Sequence, residues 1–258
     1  MELVRRDLKV RYKNRVGGAL WSLFPPLMQV LTITVMVKLV FGQVSNYSAY
    51  LMLVMFLWQF FQNTVLDASQ SMLVNGPLVR KIYFPRAVLP LVTFISNFLH
   101  FGVAFAFVLV YLVIVQKGQL TLSPLFWLAP FYVVGMGAFG LGIGYLLAYL
   151  TTLYDDVKFL SVTFLGLFFY LVPVLYPIER VATHTQLFPF YMLNPAAVWL
   201  VSFQRSFLPP PTNTDGSLIG PAIHIWPYVG LATVISILVL VAGFWIFERS
   251  KWTMMERL

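Results

Sequence analysis

Cysteine is absent from the 258 residues, which excludes disulfides and thiol-ligated metal or iron–sulfur sites. Histidine is scarce: His100, His184 and His224 lie far apart, without the spacing of a metal-ligand set. Charge is sparse as well. Asp, Glu, Lys and Arg make up 10% of the chain, where a soluble globular domain carries roughly 25%. No G-x-x-x-x-G-K-[ST] phosphate loop occurs, so any ATP-driven process needs its ATPase on another polypeptide. No internal repeat is evident, and no polar stretch is large enough to fold alone as a soluble domain. A cleavable signal peptide is not expected: the basic start leads into an apolar run too long for a signal h-region, and no small-residue cleavage site follows it.

What is present is apolar sequence in membrane-length runs. Residues are 60% hydrophobic and the mean hydropathy is +0.82. A span needs about 20 apolar residues to cross roughly 30 Å of hydrocarbon. Six runs are expected to cross: Ala19–Phe41, with Pro25 and Pro26 as kink sites, Ala49–Val74, Val88–Val115, Leu125–Leu150, Val157–Tyr176 and Ile225–Phe247. Asp155 and Asp156 are placed to cap the fifth. Thirteen of the 17 Lys and Arg residues fall on one side of this arrangement: six from Arg5 to Arg15, three from Arg80 to Arg86, Lys158, and three after Glu248. Basic loops mark the cytoplasmic side, so both ends are expected in the cytoplasm. The net charge of +8 would suggest nucleic acid in a soluble protein. Here the basic residues flank apolar spans, which points to anionic lipid headgroups instead.

The segment from Pro177 to His224 is irregular. Leu187–Phe203 is apolar enough to enter the bilayer, but Pro189, Asn194 and Pro195 interrupt it. Counting it as a full span would put Arg249, Lys251 and Arg257 outside, against the charge bias. A re-entrant or interfacial helix pair on the outer side satisfies both constraints. Pro209–His224, with its PPPTNTDGS core, reads as an exposed loop.

Five polar side chains of the second run stand out. At 100° per residue Gln59, Gln62, Asn63, Asp67 and Gln70 occupy an arc of about 140°. Such groups are costly against lipid, so this face meets either a hydrophilic path or neighbouring helices bound through interhelical hydrogen bonds. Trp21, Phe24, Met28 and Thr32 share a face of the first run, and Phe164, Phe168, Phe169 and Tyr176 one of the fifth. Aromatic rings stack on the apolar faces of sugars, so these stripes suit a glycan path; the alternative is ordinary lipid-facing packing. In the fourth run Gly140, Gly144 and Ala148 form one small-residue ridge, Ala138 and Gly142 another, both suited to close helix packing. At the N-terminus Arg5, Arg6, Lys9, Arg11, Lys13 and Arg15 punctuate an interfacial helix, suited to lipid headgroups or the phosphates of a lipid-linked substrate. Lys38 snorkels from the outer end of the first run.

The blocks RDLKVRYKNRVGGALWSLFPPLMQ, NGPLVRKIYFPRAVLP and FYMLNPAAVWLVSFQRSF, in this order, resemble the type-2 ATP-binding-cassette exporter permeases. Within them the chain is most similar to the polysaccharide branch, the permeases for O-antigen, teichoic acid and capsular polysaccharide. The resemblance implies an all-α polytopic protein of the bacterial inner membrane with six transmembrane helices. It implies an N-terminal interface helix over residues 1–18, a transmembrane domain over 19–258, and re-entrant outer helices over 177–208. It further implies a homodimer paired with two copies of an ATPase subunit, which binds the ATP and Mg; no cofactor is expected in this chain itself. A coupling segment over 75–85 would meet that subunit through Asn75, Gly76, Pro77, Arg80, Lys81 and Pro85. The loop's own features agree: it is the longest internal cytoplasmic loop, bounded by prolines and basic.

The function expected on this footing is export of a lipid-linked polysaccharide. Rival readings are a type-2 exporter of a lipid or drug, a membrane enzyme acting on lipid-linked sugars, and a secondary transporter. The enzyme needs clustered acids, histidines or a metal, whereas the spans carry only Asp67, His100 and Lys38 away from their edges. The secondary transporter would be marked by inverted repeats and ion-site acids, and neither is evident.

Overall fold

A computed structural model describes residues 4, 19–41, 46–81, 84–115, 123–183, 186–209, 221, 223–251 and 253–254. Apart from Val4, the N-terminal helix expected over 1–18, with its six basic side chains, lies outside these residues. So do Gln119, Asn213 and the side chains of Arg80 and Lys81. Every regular element among the described residues is helical, as the apolar runs require, since a helix satisfies its backbone hydrogen bonds within one segment.

The elements are α1 (Ala19–Phe41), α2 (Tyr47–Val74), α3 (Gly76–Lys81), α4 (Val88–Val115), a 3₁₀ turn (Pro124–Leu128), α5 (Ala129–Leu153), α6 (Val157–Leu171), α7 (Ile178–Ala182), α8 (Phe188–Tyr191), α9 (Pro195–Phe207) and α10 (Trp226–Arg249). Four stretches are long and apolar enough to cross a membrane: Tyr47–Val74, Val88–Val115, Phe126–Leu153 and Trp226–Arg249. Shorter apolar helices lie in α1, over Leu23–Leu39, and in α6. α1 stays helical through Pro25 and Pro26.

Two expectations at α6 need correction. The helix ends at Leu171 rather than Tyr176, because Pro173 has no N–H to continue the ladder and disfavours helix just before it. Asp156 occupies the N-cap position, yet its side chain caps nothing. Its backbone carbonyl instead accepts from the N–H groups of Phe159 and Leu160, each at 3.1 Å. Its charge still sits at the positive end of the helix dipole.

α2 is the hub, packing against α1, α4, α5, α6 and α9, while α5 bridges α2 to α10. The small-residue ridges of α5 explain these approaches. Gly140 and Gly144 face α2, where a Cβ on Gly144 would stand 2.6 Å from that of Ala68. Gly142 faces the other way, onto the backbone of Val239 and Leu240 in α10. Side chains at these positions would hold the helices apart.

α9 is built from the very residues that looked like interruptions. The Asn194 side chain accepts from the Ala196 N–H at 3.1 Å as N-cap, and Pro195 takes the first helical position. With 13 residues the helix is about 20 Å long, short of a crossing. It is buried along its length between α2, α5 and α10. Trp199 anchors it: fully buried, its indole N–H donates to Ser236 Oγ of α10 at 3.0 Å, and its ring fills the space a side chain at Gly135 would need.

Candidate functional site

Between Ala49 and Met72 every residue of α2 is buried except Gln59, Gln62, Asn63, Leu66, Asp67 and Gln70. The open face of the central helix is thus its amide and carboxyl face. The five polar residues singled out by periodicity lie together, but the neighbouring helices divide them.

Gln59 and Gln62 look into a cleft of about 220 Å³ between α1, α2 and α6, shared with Gln29, Met55, Trp58, Leu165, Gly166, Phe169 and Tyr170. Trp58 is itself buried, its ring 5.8 Å from that of Phe169, so one wall is a rigid aromatic corner. The lining also carries three primary amides, each offering donors and an acceptor without charge. This combination suits a neutral ligand carrying both hydroxyls and apolar faces.

Asn63 turns toward α4. With Gln59, Asn97 and His100 it lines a void of about 10 Å³, room for roughly one water molecule. Just below, the Asn97 side-chain amide donates to Asp67 Oδ2 at 3.0 Å. Asp67 thus takes part in an interhelical hydrogen bond while staying half-buried on the open face.

The aromatic residues separate in the same way. Only Phe169 of the expected set reaches the amide cleft. Phe164 and Phe168 stack at 5.8 Å and line an apolar crevice between α2, α5 and α6. Trp21 and Phe24 meet edge to face at 6.0 Å on the exposed side of α1. Tyr176 lies beyond the end of α6, where its hydroxyl meets that of Tyr191 at 3.1 Å.

The end of the bundle around α7 is tied by polar groups that periodicity did not mark. Tyr50 directs its hydroxyl between the carbonyls of Pro173 and Tyr176, at 2.6 and 2.9 Å, and Tyr47 donates to the Leu175 carbonyl at 2.8 Å. Arg205 of α9 pairs with Glu179 of α7 at 2.9 Å and donates to the Ile223 carbonyl at 3.0 Å. These bonds hang α7 and the preceding turn on α2 and α9. Among the described residues no group of three or more His, Asp or Glu is placed to hold a metal.

Residues 1–208 match the family described as ABC-2 type transporter. The chain belongs to that family. It is a membrane transport subunit rather than an enzyme. Two proteins of Klebsiella pneumoniae, each called O-antigen export system permease protein RfbA, are 28% and 27% identical to it. Both alignments cover 98% of this chain and 92% of the relative. A protein of the same name from Myxococcus xanthus is 26% identical over 80% of this chain and 79% of its own length.

Several site residues were missed in the sequence. Gln29 is the only amide in Ala19–Phe41, and an amide inside a span is itself a signal, since lipid penalises it. Asn97 and His100, three apart in an apolar run, carry the same signal on α4. Trp58 and Tyr170 have none, because nothing in one sequence says which aromatic rings will close a cleft.

Proposed function

We propose that this chain is the membrane subunit of an exporter carrying a lipid-linked polysaccharide across the bacterial inner membrane. A separate ATPase subunit, holding ATP and Mg, supplies the energy. The observation that carries this reading is the uncharged cleft of Gln29, Gln59, Gln62, Trp58, Phe169 and Tyr170 on the open face of the central helix. Hydroxyl-rich chains with apolar ring faces are the ligands such a surface passes without trapping, since no fixed charge holds them. The names of the relatives, whose alignments run nearly end to end, point to the same substrate class.

In this picture α1, α2, α4, α5, α6 and α10 cross the membrane, with both termini cytoplasmic, and α7–α9 enter from the outer side without crossing. The cleft is flanked by the apolar exposed faces of α1 and α6, including Leu31, Val35, Phe164 and Leu167. A second copy of the chain set against these faces completes the path. The basic N-terminal segment receives the phosphates of the lipid carrier. The segment 75–85, carrying Arg80 and Lys81, meets the ATPase.

The test is Gln59→Leu with Gln62→Leu. Each lost amide–hydroxyl hydrogen bond is worth about 0.5–1.5 kcal/mol, so export of surface glycan is expected to fall about tenfold or more. The amount of the chain in the membrane and its association with the ATPase should stay unchanged. Full export by the double variant would remove the cleft from the path.

A further inference from the structure

Three stretches far apart in sequence meet at the cytoplasmic end. Val79 of α3, Leu89 at the start of α4, Tyr145 of α5, and Phe247 and Met254 around the end of α10 are buried in one apolar cluster with Met72 of α2. Two hydrogen bonds pin it. Tyr145 donates its hydroxyl to the Ala87 carbonyl at 2.8 Å, and Arg86 Nη1 donates to the Lys251 carbonyl at 3.0 Å. The chain after α10 therefore turns back onto the segment that follows α3 instead of splaying along the membrane surface. At the junction Lys251 pairs with Glu248 of the last turn of α10, and the exposed Arg249, its final residue, lies with its guanidinium 5.2 Å from the Trp245 ring centre.

Charge separates this surface from a neutral helix packing site. Residues 75–87 and 248–258 together carry Arg80, Lys81, Arg86, Arg249, Lys251 and Arg257 against Glu248 and Glu256. We propose that the tail following α10 is the second half of the docking surface for the ATPase subunit, held beside α3 by Arg86, and that its partner is an acidic groove of that subunit. This inference rests on the reading of 75–85 as the coupling segment and adds a contact to it. Its mechanical consequence is that a push on α3 moves the end of α10 in the same stroke, because the buried cluster and the Arg86 bond join them. α10 packs along α5, so the displacement is passed on to the partner of the central helix.

The experiment uses the full-length chain with its ATPase subunit in lipid nanodiscs, measuring association and the rate of tryptic cleavage after Lys251. Bound ATPase is expected to slow that cleavage about fivefold or more. Arg249→Glu should weaken association about fivefold at low salt, an effect that fades near 1 M salt as the charges are screened. Arg86→Leu leaves the tail's own charges in place; it should speed cleavage in the free permease and reduce transport per ATP hydrolysed. The paired control is Arg80→Glu with Lys81→Glu. If that control abolishes association while Arg249→Glu binds normally and the ATPase gives no protection, the coupling segment stands and the tail proposal falls, leaving Arg249 as a headgroup anchor. If the control binds normally while the tail is protected, the tail contact stands and the coupling role of Arg80 and Lys81 falls.

Discussion

Arg205 works in two directions from a nearly dry site, joining α7 through Glu179 and the start of the last helix through the Ile223 carbonyl. The side chains of Arg205 and Glu179 are only 14% and 4% exposed. Pairing at such depth offsets desolvation rather than adding much net stability, whereas removing one partner strands the other charge. Glu179→Ala is therefore expected to cost about 3–5 kcal/mol and lower the thermal midpoint of the purified protein clearly. Replacing both residues by leucine should recover most of that loss. An unchanged midpoint in the single variant would show the guanidinium finding water instead. This pair was not legible beforehand, because Glu179 and Arg205 are 26 residues apart and each alone looks like a surface charge. The α2 face was legible because five polar groups repeat at helical spacing. How the face divides between a cleft and a hydrogen-bonded seam was not, since that depends on Gln29 and Asn97 arriving from other helices.

Helix identity and length followed from hydropathy, and the ends were decided by local chemistry. α1 and α4 are helical throughout their apolar runs, and α4 starts at Val88 where its run does. α6 stops early at Pro173, and α9 begins where Asn194 and Pro195 supply a cap and a first turn. A proline inside an apolar run ends a helix at Pro173, starts one at Pro195 and is carried through at Pro25 and Pro26, and only the surrounding packing tells which. The glycine ridges of α5 were read correctly as contact surfaces, though their partners were unassigned. Gly142 meets α10 at Gly243, where a Cβ on Gly243 would strike the Gly142 carbonyl. Backbone cannot retreat as a side chain does, so Gly243→Leu should push α10 from α5. Overpacking of this kind costs about 1–3 kcal/mol or more, and a lowered thermal midpoint with loss of a monodisperse profile in detergent is expected. A variant as stable as the parent would mean that α5 and α10 do not cross so closely.

Across the whole molecule two different polar chemistries mark the two ends of the bundle. One end has the buried Glu179–Arg205 pair and the tyrosine hydroxyls bound to backbone carbonyls. The other has the basic α3 and the α10 tail around an apolar cluster. Thirteen of 17 basic residues gather at this second end or in the N-terminal segment, which is the pattern that fixes orientation in a membrane. Under the proposed topology six crossings would return the chain to the side where it started, and a seventh by α9 would turn the basic α10 tail outward, against the charge bias. Single cysteines are unusually informative here because the natural chain has none. Placed at Asn46, Gln119 or Asn213, they should react with a membrane-impermeant maleimide added to intact cells. Placed at Arg80, Asp155 or Thr253, they should react only after the membrane is opened. Labelling of the Thr253 position from outside would give an odd number of crossings, turn the α10 tail away from any cytoplasmic ATPase, and overturn the topology on which both the coupling segment and its second contact depend.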